Sequence, residues 1–215
     1  MDITFHGHSC FTIKGKSATI ITDPYAGLGT NLPNLKADIV TLGDEYAEKM
    51  GEVAVVEGEP KVLNWPGEFE VANVTIESLG AKHFAKIDTE EGDDVNIFIF
   101  NIDGIKICHL SGLGHELSDE LLDHIGDVDI LMVPVGGNVV LEGKGAQKLV
   151  ESIEPRVVIP MYYAATETKM NLDGVAEFLK AVGQSNLEPQ EKYSVSGKSS
   201  LPEDKMEFIL LEPKL

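Results

Sequence analysis

Short apolar runs separated by glycine open the chain. Residues 2–6, 10–14 and 18–22 are rich in apolar and β-branched side chains, and Gly7 and Gly15 lie between them. Runs of this length, broken by turn-forming residues, are typical of short strands. The amino-terminal part of the chain is therefore predicted to form a meander of antiparallel strands.

The second half of the chain repeats this pattern and adds helices. Residues 95–100 and 104–110 are apolar runs, and Asp103-Gly104 between them is a dipeptide typical of two-residue β-hairpins. Apolar positions that recur every three to four residues predict amphipathic helices, and these fall at about 118–125, 145–153 and 171–182. Together the two halves predict a mixed α/β protein.

Two local features refine these elements. Ser118, followed by Asp119 and Glu120, is a good helix N-cap with a first turn whose charge suits the helix dipole. Val157–Pro160 follows a helix and has the uniform apolar character of a buried strand.

Composition is that of a globular domain with one large core. The chain has 215 residues, 43% hydrophobic and 25% charged, so we predict a single domain over residues 1–215. Its start lacks a basic segment followed by an apolar block, and no apolar run approaches the roughly 20 residues of a membrane-spanning helix. We expect a cytoplasmic protein without a membrane partner. Cys10 and Cys108 have no paired spacing and are interpreted as buried thiols.

The charge balance is strongly acidic. Lys and Arg total 17 against 36 Asp and Glu, a formal net charge of −19. Nucleic acids are bound chiefly through cationic side chains, so a nucleic-acid partner is not expected. Solubility alone is the simpler explanation of the acidic excess.

Six separated motifs carry a family resemblance. They are Gly7–Phe11 (Gly-His-Ser-Cys-Phe), Ile20–Pro24, Pro66–Val71, Ile107–Leu110, Val128–Gly137 and Pro155–Met161. In order and spacing the chain resembles the small bacterial and archaeal branch of Zn-dependent hydrolases in the metallo-β-lactamase superfamily. The resemblance implies a four-layer αββα sandwich. It also implies an active site at one edge of the sandwich, where two divalent metals share a water.

The ligand positions of that family are largely changed here. The family loop His-x-His-x-Asp-His falls on Asp44, Tyr46, Glu48 and Lys49, so none of its histidines is present. The remaining three positions fall on His83, which is unchanged, on Gly112 in place of the bridging aspartate, and on Tyr162 in place of the last histidine. A catalytic zinc needs about three protein ligands. No dinuclear site and no metal cofactor are therefore predicted.

Two alternatives concern the loop that begins at Asp44. Asp44, Glu48 and His83 could bind one divalent ion, Zn, Mn or Mg, weakly. Lys49 would oppose a cation there, and an ammonium group in place of an imidazole could itself neutralise the carboxylates. Ordinary helix chemistry also explains these residue types, with Asp44 as N-cap and Glu45 facing Lys49 four residues later.

The other histidines admit two interpretations. The resemblance implies that His8 lies near the metal edge and contacts substrate. The two-residue period places His6 and His8 on one strand face, where they could join His83 and His109 in a displaced imidazole cluster. Hydrogen-bonded structural histidines are the more common finding. Asp23 is interpreted as a structural carboxylate.

Two functions remain open from the sequence. The main prediction is a non-hydrolytic binding or assembly protein whose pocket for an unknown small molecule includes Tyr46, Lys49, His83 and Tyr162. The alternative is a hydrolase of a small ester, lactone or phosphoester that uses one weakly bound metal, or His83 as a metal-free general base. No residue is nominated as a nucleophile. Trp65-Pro66-Gly67 is predicted to form a turn at the cleft rim, and a homodimer through a sandwich edge is a further expectation.

Overall fold

Two large sheets dominate the computed structural model, which describes residues 1–25, 28, 32–43, 55–82, 94–165 and 168–215. The strands in chain order are β1 Asp2–Phe5, β2 Phe11–Lys14, β3 Thr19–Thr22, β4 Leu35–Lys36, β5 Ile39–Thr41, β6 Val56–Glu57, β7 Lys61–Leu63, β8 Gly67–Val71, β9 Val74–Lys82, β10 Asp94–Ile102, β11 Ile105–His109, β12 Ile130–Pro134, β13 Val157–Met161, β14 Tyr193–Ser194 and β15 Glu207–Phe208. The helices are α1 Asp119–Ile125, α2 Gly143–Ile153 and α3 Ala176–Ala181.

The first large sheet has the strand order β14-β1-β2-β3-β5-β7. Strands β1, β2 and β3 are antiparallel neighbours, which confirms the predicted meander. Strands β3, β5 and β7 are parallel, so β1, β3, β5 and β7 all run in one direction. Their carboxyl ends consequently lie at the same edge of the sheet.

The second large sheet has the strand order β15-β13-β12-β11-β10-β9-β8. Strands β8 to β11 are antiparallel neighbours, and β11, β12, β13 and β15 are parallel. The β10–β11 turn has positive φ at both Asp103 (53°) and Gly104 (79°), as a type I′ hairpin requires. The predicted hairpin is confirmed.

The two sheets pack face to face. Ile3, Phe5 and Phe11 from the first sheet share one core with Phe98 and Phe100 from the second, and all five side chains are fully buried. Burial of such aromatic rings is the main source of stability for a fold of this type.

Helix positions agree with the sequence except at one start. Ser118 caps α1, accepting a hydrogen bond from the Leu121 N–H. The helix predicted over 171–182 begins only at Ala176. The reason lies in Asp173, whose N–H donates to Gly136 O at 2.7 Å while its carbonyl accepts from Ala164 N at 2.9 Å. This segment satisfies its backbone through loop contacts, which prevents an earlier helical turn.

Two further expectations are met in the described residues. Cys10 and Cys108 are free and fully buried, and burial raises the pKa of the Cys108 thiol to about 12. Among the described residues, no helix has both the length and the apolar character needed to cross a bilayer.

Candidate functional site at the carboxyl ends of the strands

Several unusual backbone conformations lie at one end of the sandwich, and others lie in turns elsewhere, among them Ala72, Asn73, Asp103 and Glu154. Four non-glycine residues with positive φ follow directly on strands or strand-end turns: His8 (50°) beyond β1, Asp23 (40°) after β3, Ser111 (49°) beyond β11 and Tyr162 (54°) after β13. Such conformations cost free energy and persist where the surrounding structure enforces them, often at functional sites. We call this end of the sandwich the site edge.

His8 lies at the centre of the site edge. Its ring meets Tyr25 at a centroid distance of 4.8 Å and Tyr162 at 5.9 Å, both edge to face. Its carbonyl accepts the Tyr162 N–H at 2.6 Å, and its Nε2 lies 3.4 Å from Thr168 Oγ1. The side chain is buried, yet Nδ1 has no hydrogen-bond partner among the described residues. Burial lowers the pKa of His8 to about 4, so the ring is neutral at pH 7.

His109 joins the two sheets just below the site edge. Its Nε2–H donates to the Ser9 carbonyl at 2.9 Å, and its Nδ1 accepts the Ser111 N–H at 3.2 Å. The ring is fully buried, which lowers its pKa to about 4. Both nitrogens are satisfied in the neutral form. His109 therefore has a structural role in this arrangement.

Ser111 links His109 to the loop that carries the candidate ligands. Its hydroxyl donates to Asn96 O at 2.8 Å, and Asn96 N donates in turn to Gly43 O at 2.5 Å. Gly43 N donates to Asp23 Oδ1 at 2.6 Å. The chain of hydrogen bonds thus crosses from β11 through β10 to the end of β5, and it fixes the residue that immediately precedes Asp44.

Close packing explains the glycine within this network. A Cβ on Gly43 would lie 2.2 Å from Ser111 Oγ, so no other residue fits beside this serine. Ser111 itself has no exposed surface and its hydroxyl is engaged, which argues against a nucleophilic role. Sequence reasoning identified Asp23 as structural but missed Ser111 and Asn96. One indication was available in the sequence. Residues 109–112 are aligned with the family's His-Leu-Gly-Asp motif, and Ser111 stands at the glycine position of that motif.

The site residues predicted from sequence divide into two groups. Gly112, Tyr162 and His8 are described, and all three are buried at the site edge. The structure brings His8 and Tyr162 into direct contact. Asp44, Tyr46, Glu48, Lys49 and His83 lie outside the described residues, so their places in the pocket remain predictions.

The proposed imidazole cluster does not form among the histidines that the structure describes. Strand β1 ends at Phe5, and Gly7 with φ 98° starts a turn, so His6 and His8 do not share a strand face as predicted. His6 donates from Nδ1 to Lys214 O at 2.8 Å and accepts from Thr12 at 2.9 Å. It is a hydrogen-bonded structural residue away from His8.

The described residues do not by themselves form a metal site. No three His, Cys, Asp or Glu side chains in the described ranges are grouped as ligands would be. Gly112 offers no side chain where the family motif places a bridging carboxylate, and Tyr162 offers a phenol where it places an imidazole. A two-metal centre therefore does not fit this part of the chain. Any metal at the site edge needs ligands from outside the described residues.

Comparison with known proteins decides the family. The model of the beta-lactamase superfamily domain matches residues 2–162. The chain belongs to the metallo-β-lactamase superfamily. A solved structure from Thermotoga maritima, a candidate Zn-dependent hydrolase of this superfamily, superimposes with a TM-score of 0.79 at 30% identity and covers 97% of both chains. The resemblance and the fold inferred from sequence are confirmed.

Relatives by sequence have names that state an activity. A UPF0173 metal-dependent hydrolase from Archaeoglobus fulgidus is 24% identical over 193 residues, covering 76% of this chain and 83% of its own. Another, from Carboxydothermus hydrogenoformans, is 27% identical over 192 residues, covering 76% and 84%. An isothiocyanate hydrolase from Delia radicum gut bacteria shares the superfamily fold with a TM-score of 0.70, but at 11% identity it supports the fold alone.

These relatives overturn the main functional prediction from sequence. The interpretation as a non-hydrolytic binding or assembly protein is wrong, because the relatives that match three quarters of this superfamily member are named metal-dependent hydrolases. Their names also oppose the expectation that no metal is used. The wrong prediction assumed that the loss of the family's histidines removes catalysis. Hydrolysis requires only a suitably held water and one activating group.

Proposed function

We propose that this superfamily member is a metal-dependent hydrolase of a small ester, lactone or phosphoester. The observation that carries the proposal is the convergence of four strained strand ends, at His8, Asp23, Ser111 and Tyr162, on the edge where the superfamily places its chemistry. Non-glycine residues in such conformations are common at active sites and ligand sites, which supports a retained function here. The names of the sequence relatives support the same activity.

We further propose one divalent ion in place of two. Three of the family's ligand positions still carry a side chain that can bind a metal, namely Asp44, Glu48 and His83. Two carboxylates with one imidazole suit Mn²⁺ or Zn²⁺, and suit Mg²⁺ less well. Such an ion lowers the pKa of bound water and so makes a nucleophile available at neutral pH. The described residues offer no place for a second ion.

His8 is proposed to bind the substrate. Its neutral ring is held by Tyr25, Tyr162 and Thr168, so its orientation is fixed. Nδ1 lacks a hydrogen-bond partner among the described residues, which is costly for a buried polar atom. A polar group of the substrate at this position would relieve that cost. His8 is therefore interpreted as an orienting contact and not as an acid, because its pKa of about 4 leaves it without a proton to give.

Metal content of protein purified without a tag tests the proposal. We expect close to one Zn or Mn per chain in the wild type and little in His83→Ala. His124→Ala is the matched control, since His124 is 52% exposed on α1 and should leave the metal content unchanged. Two ions per wild-type chain, or retention of the metal by His83→Ala, would contradict the single-metal site.

Activity is measured on neutral esters, lactones and phosphoesters with the same protein. Turnover should follow metal content and should fall in His83→Ala by about a hundredfold or more, the scale on which enzymes lose rate without an activating group. His8→Asn should raise KM more than it lowers kcat, because it removes a binding contact while asparagine tolerates the positive φ. If metal-loaded protein turns over none of the esters, lactones or phosphoesters, the proposed hydrolase function is contradicted.

A further inference from the structure

The single tryptophan of the chain has an unusual environment. Trp65 is 46% exposed, and Leu215 at the carboxyl terminus is the other large apolar residue in the described ranges that is clearly exposed. Solvation of an indole forgoes the favourable burial that aromatic side chains normally provide. The position of Trp65 in the fold suggests what could cover it.

One side of the Trp65 turn is linked through Asn96 to Gly43. Trp65 lies in the turn after β7, next to Asn64, whose carbonyl accepts a hydrogen bond from Asn96 Nδ2 at 3.2 Å. Asn96 also donates from its backbone N to Gly43 O at 2.5 Å. One asparagine thus ties the Trp65 turn to the residue that precedes Asp44.

The other side adjoins the segment that leads to His83. Pro66 Cγ lies 3.5 Å from the position that a Cβ on Gly80 would occupy. Gly80 is in β9, which continues to Lys82, the residue before His83. The Trp65 turn therefore has contacts towards Gly43, through Asn96, and towards β9, and it follows the carboxyl end of β7 at the site edge.

Phe69 supports the Trp65 ring on one side. The two rings meet edge to face, with centroids 5.6 Å apart and an interplanar angle of 80°. Phe69 itself packs against the core and over Gly67, where a Cβ would come within 3.2 Å of the Phe69 ring. A preorganised aromatic surface binds apolar groups without a further loss of side-chain entropy.

The charge around this surface limits what it can bind. Glu68 and Glu70 are exposed on the opposite face of β8 from Phe69, and the whole chain has a formal net charge of −19. An anionic substrate would approach against this field, whereas an uncharged one would not. The surface is therefore better suited to a neutral ester or lactone than to a phosphoester.

We propose that Trp65, supported by Phe69, is the specificity-determining residue of the site and binds an alkyl or aryl group of an uncharged ester or lactone. This inference rests on the proposed hydrolase function and narrows its substrate class. The apolar group of the substrate covers the exposed indole while its carbonyl reaches the site edge. Trp65 takes no part in bond cleavage.

Binding is tested without turnover by the fluorescence of the protein. Because Trp65 is the only tryptophan, all indole emission reports on this turn. The probes are 2-phenylacetamide and acetamide, which are uncharged and resist hydrolysis. We expect a saturable change in emission with phenylacetamide, and acetamide at the same concentrations should leave the emission unchanged. An emission change on dilution of the protein alone would instead indicate a self-association surface and would overturn the proposal.

Kinetics with matched substrates tests specificity. Ethyl phenylacetate and ethyl acetate share a leaving group and differ in the phenyl ring. Trp65→Ala should raise KM for the phenyl ester about tenfold, the scale of one partly buried ring contact, with kcat nearly unchanged and ethyl acetate little affected. Trp65→Phe should restore most of the loss. Leu215→Ala, which removes the other exposed apolar side chain, should change neither substrate.

The outcomes separate this inference from the proposed function. Equal effects of Trp65→Ala on both esters, or phenyl phosphate turned over better than ethyl phenylacetate, would overturn the inference while leaving a hydrolase. A saturable fluorescence change without turnover of any ester would support the apolar subsite and contradict the hydrolase. No saturable change with phenylacetamide would overturn the inference whether or not esters are cleaved.

Discussion

The two ends of the parallel strands differ in whether their buried polar side chains have hydrogen-bond partners. At the site edge, the buried Nδ1 of His8 lacks a hydrogen-bond partner among the described residues. At the opposite end, where β12 and β13 begin, the buried Asp129 is fully engaged. We call that opposite end the base edge.

Asp129 organises the base edge. Its Oδ2 accepts from the backbone N–H of Lys106 at 2.9 Å and from Lys198 Nζ at 2.9 Å, and its Oδ1 lies 3.4 Å from Arg156 Nε. Its carbonyl accepts the Val157 N–H at 3.0 Å. One carboxylate thus fastens the starts of three neighbouring parallel strands.

This contrast indicates a division between stability and function. A satisfied buried polar network makes a unique structure, whereas an unsatisfied polar atom and strained backbone are costs that a ligand can offset. Ligand sites at the carboxyl ends of parallel strands are a general feature of α/β sheets. The predictions below test whether the two edges are separable in this way.

The largest expected effect is a loss of stability in mild acid, and it arises at the site edge. Burial lowers the pKa of His8 and of His109 from 6.5 to about 4. The unfolded chain therefore takes up protons below about pH 6.5 that the native state does not bind, so stability present above that pH is lost as pH falls towards 4. We expect the free energy of unfolding to fall by roughly 3–4 kcal/mol between pH 7 and pH 5, measured by urea denaturation.

Substitution assigns this pH dependence to particular residues. His8→Asn should remove a large part of it, because one of the lowered histidine pKa values is then absent while those of His6 and His109 remain. His124→Asn, at an exposed position on α1, should leave it nearly intact. A flat profile from pH 7 to pH 5 in the wild type would show that the native and unfolded states take up protons alike, so that burial does not lower these pKa values.

The base edge should respond in stability alone. Asp129→Ala leaves the Lys106 N–H without its acceptor and removes the partner of Lys198 and Arg156, so we expect a loss of about 3 kcal/mol. The kcat/KM of the folded fraction should be unchanged. Thermal denaturation and ester turnover on the same samples measure the two quantities.

Lys198→Ala gives the matched control at the base edge. Lys198 is 55% exposed, and an exposed ion pair contributes little, so the loss should stay below about 1 kcal/mol. Reduced kcat/KM in Asp129→Ala at full folding would mean that the two edges are coupled, against the division drawn here.

Sequence patterns were sufficient for the elements whose causes are local. The Asp103-Gly104 hairpin and the Ser118 cap depend on a few adjacent residues, and both occur as predicted. The helix expected from residue 171 starts late because Asp173 bonds to Gly136 and Ala164, which are distant in sequence. Periodicity carries no information about such contacts.

The site edge was predictable in place but not in detail. The motifs predicted that His8, Gly112 and Tyr162 lie at one end of the sandwich, and in the structure all three are buried. The link from Ser111 through Asn96 to Gly43 was missed, since a hydroxyl bonding a carbonyl on a neighbouring strand depends on register. The substitutions at the ligand positions also led to the wrong functional prediction. They show which family ligands are absent but not which residues replace them.

The smallest effect separates two buried serines of the same sheet. Ser111→Ala removes the hydroxyl that donates to Asn96 O and leaves a buried carbonyl without that partner, so we expect a loss of about 1–2 kcal/mol. Ser78 is the matched control on β9: its hydroxyl is also buried but has no hydrogen-bond partner among the described residues, and Ser78→Ala should be neutral or slightly stabilising. Chemical denaturation of both variants gives the difference directly. The hydrogen bonds of Ser111 lead through Asn96 to Gly43, the residue before Asp44, so Ser111→Ala should also lower kcat/KM. Equal stability and equal kcat/KM in the two variants would mean that these hydrogen bonds do not position the residues after Gly43.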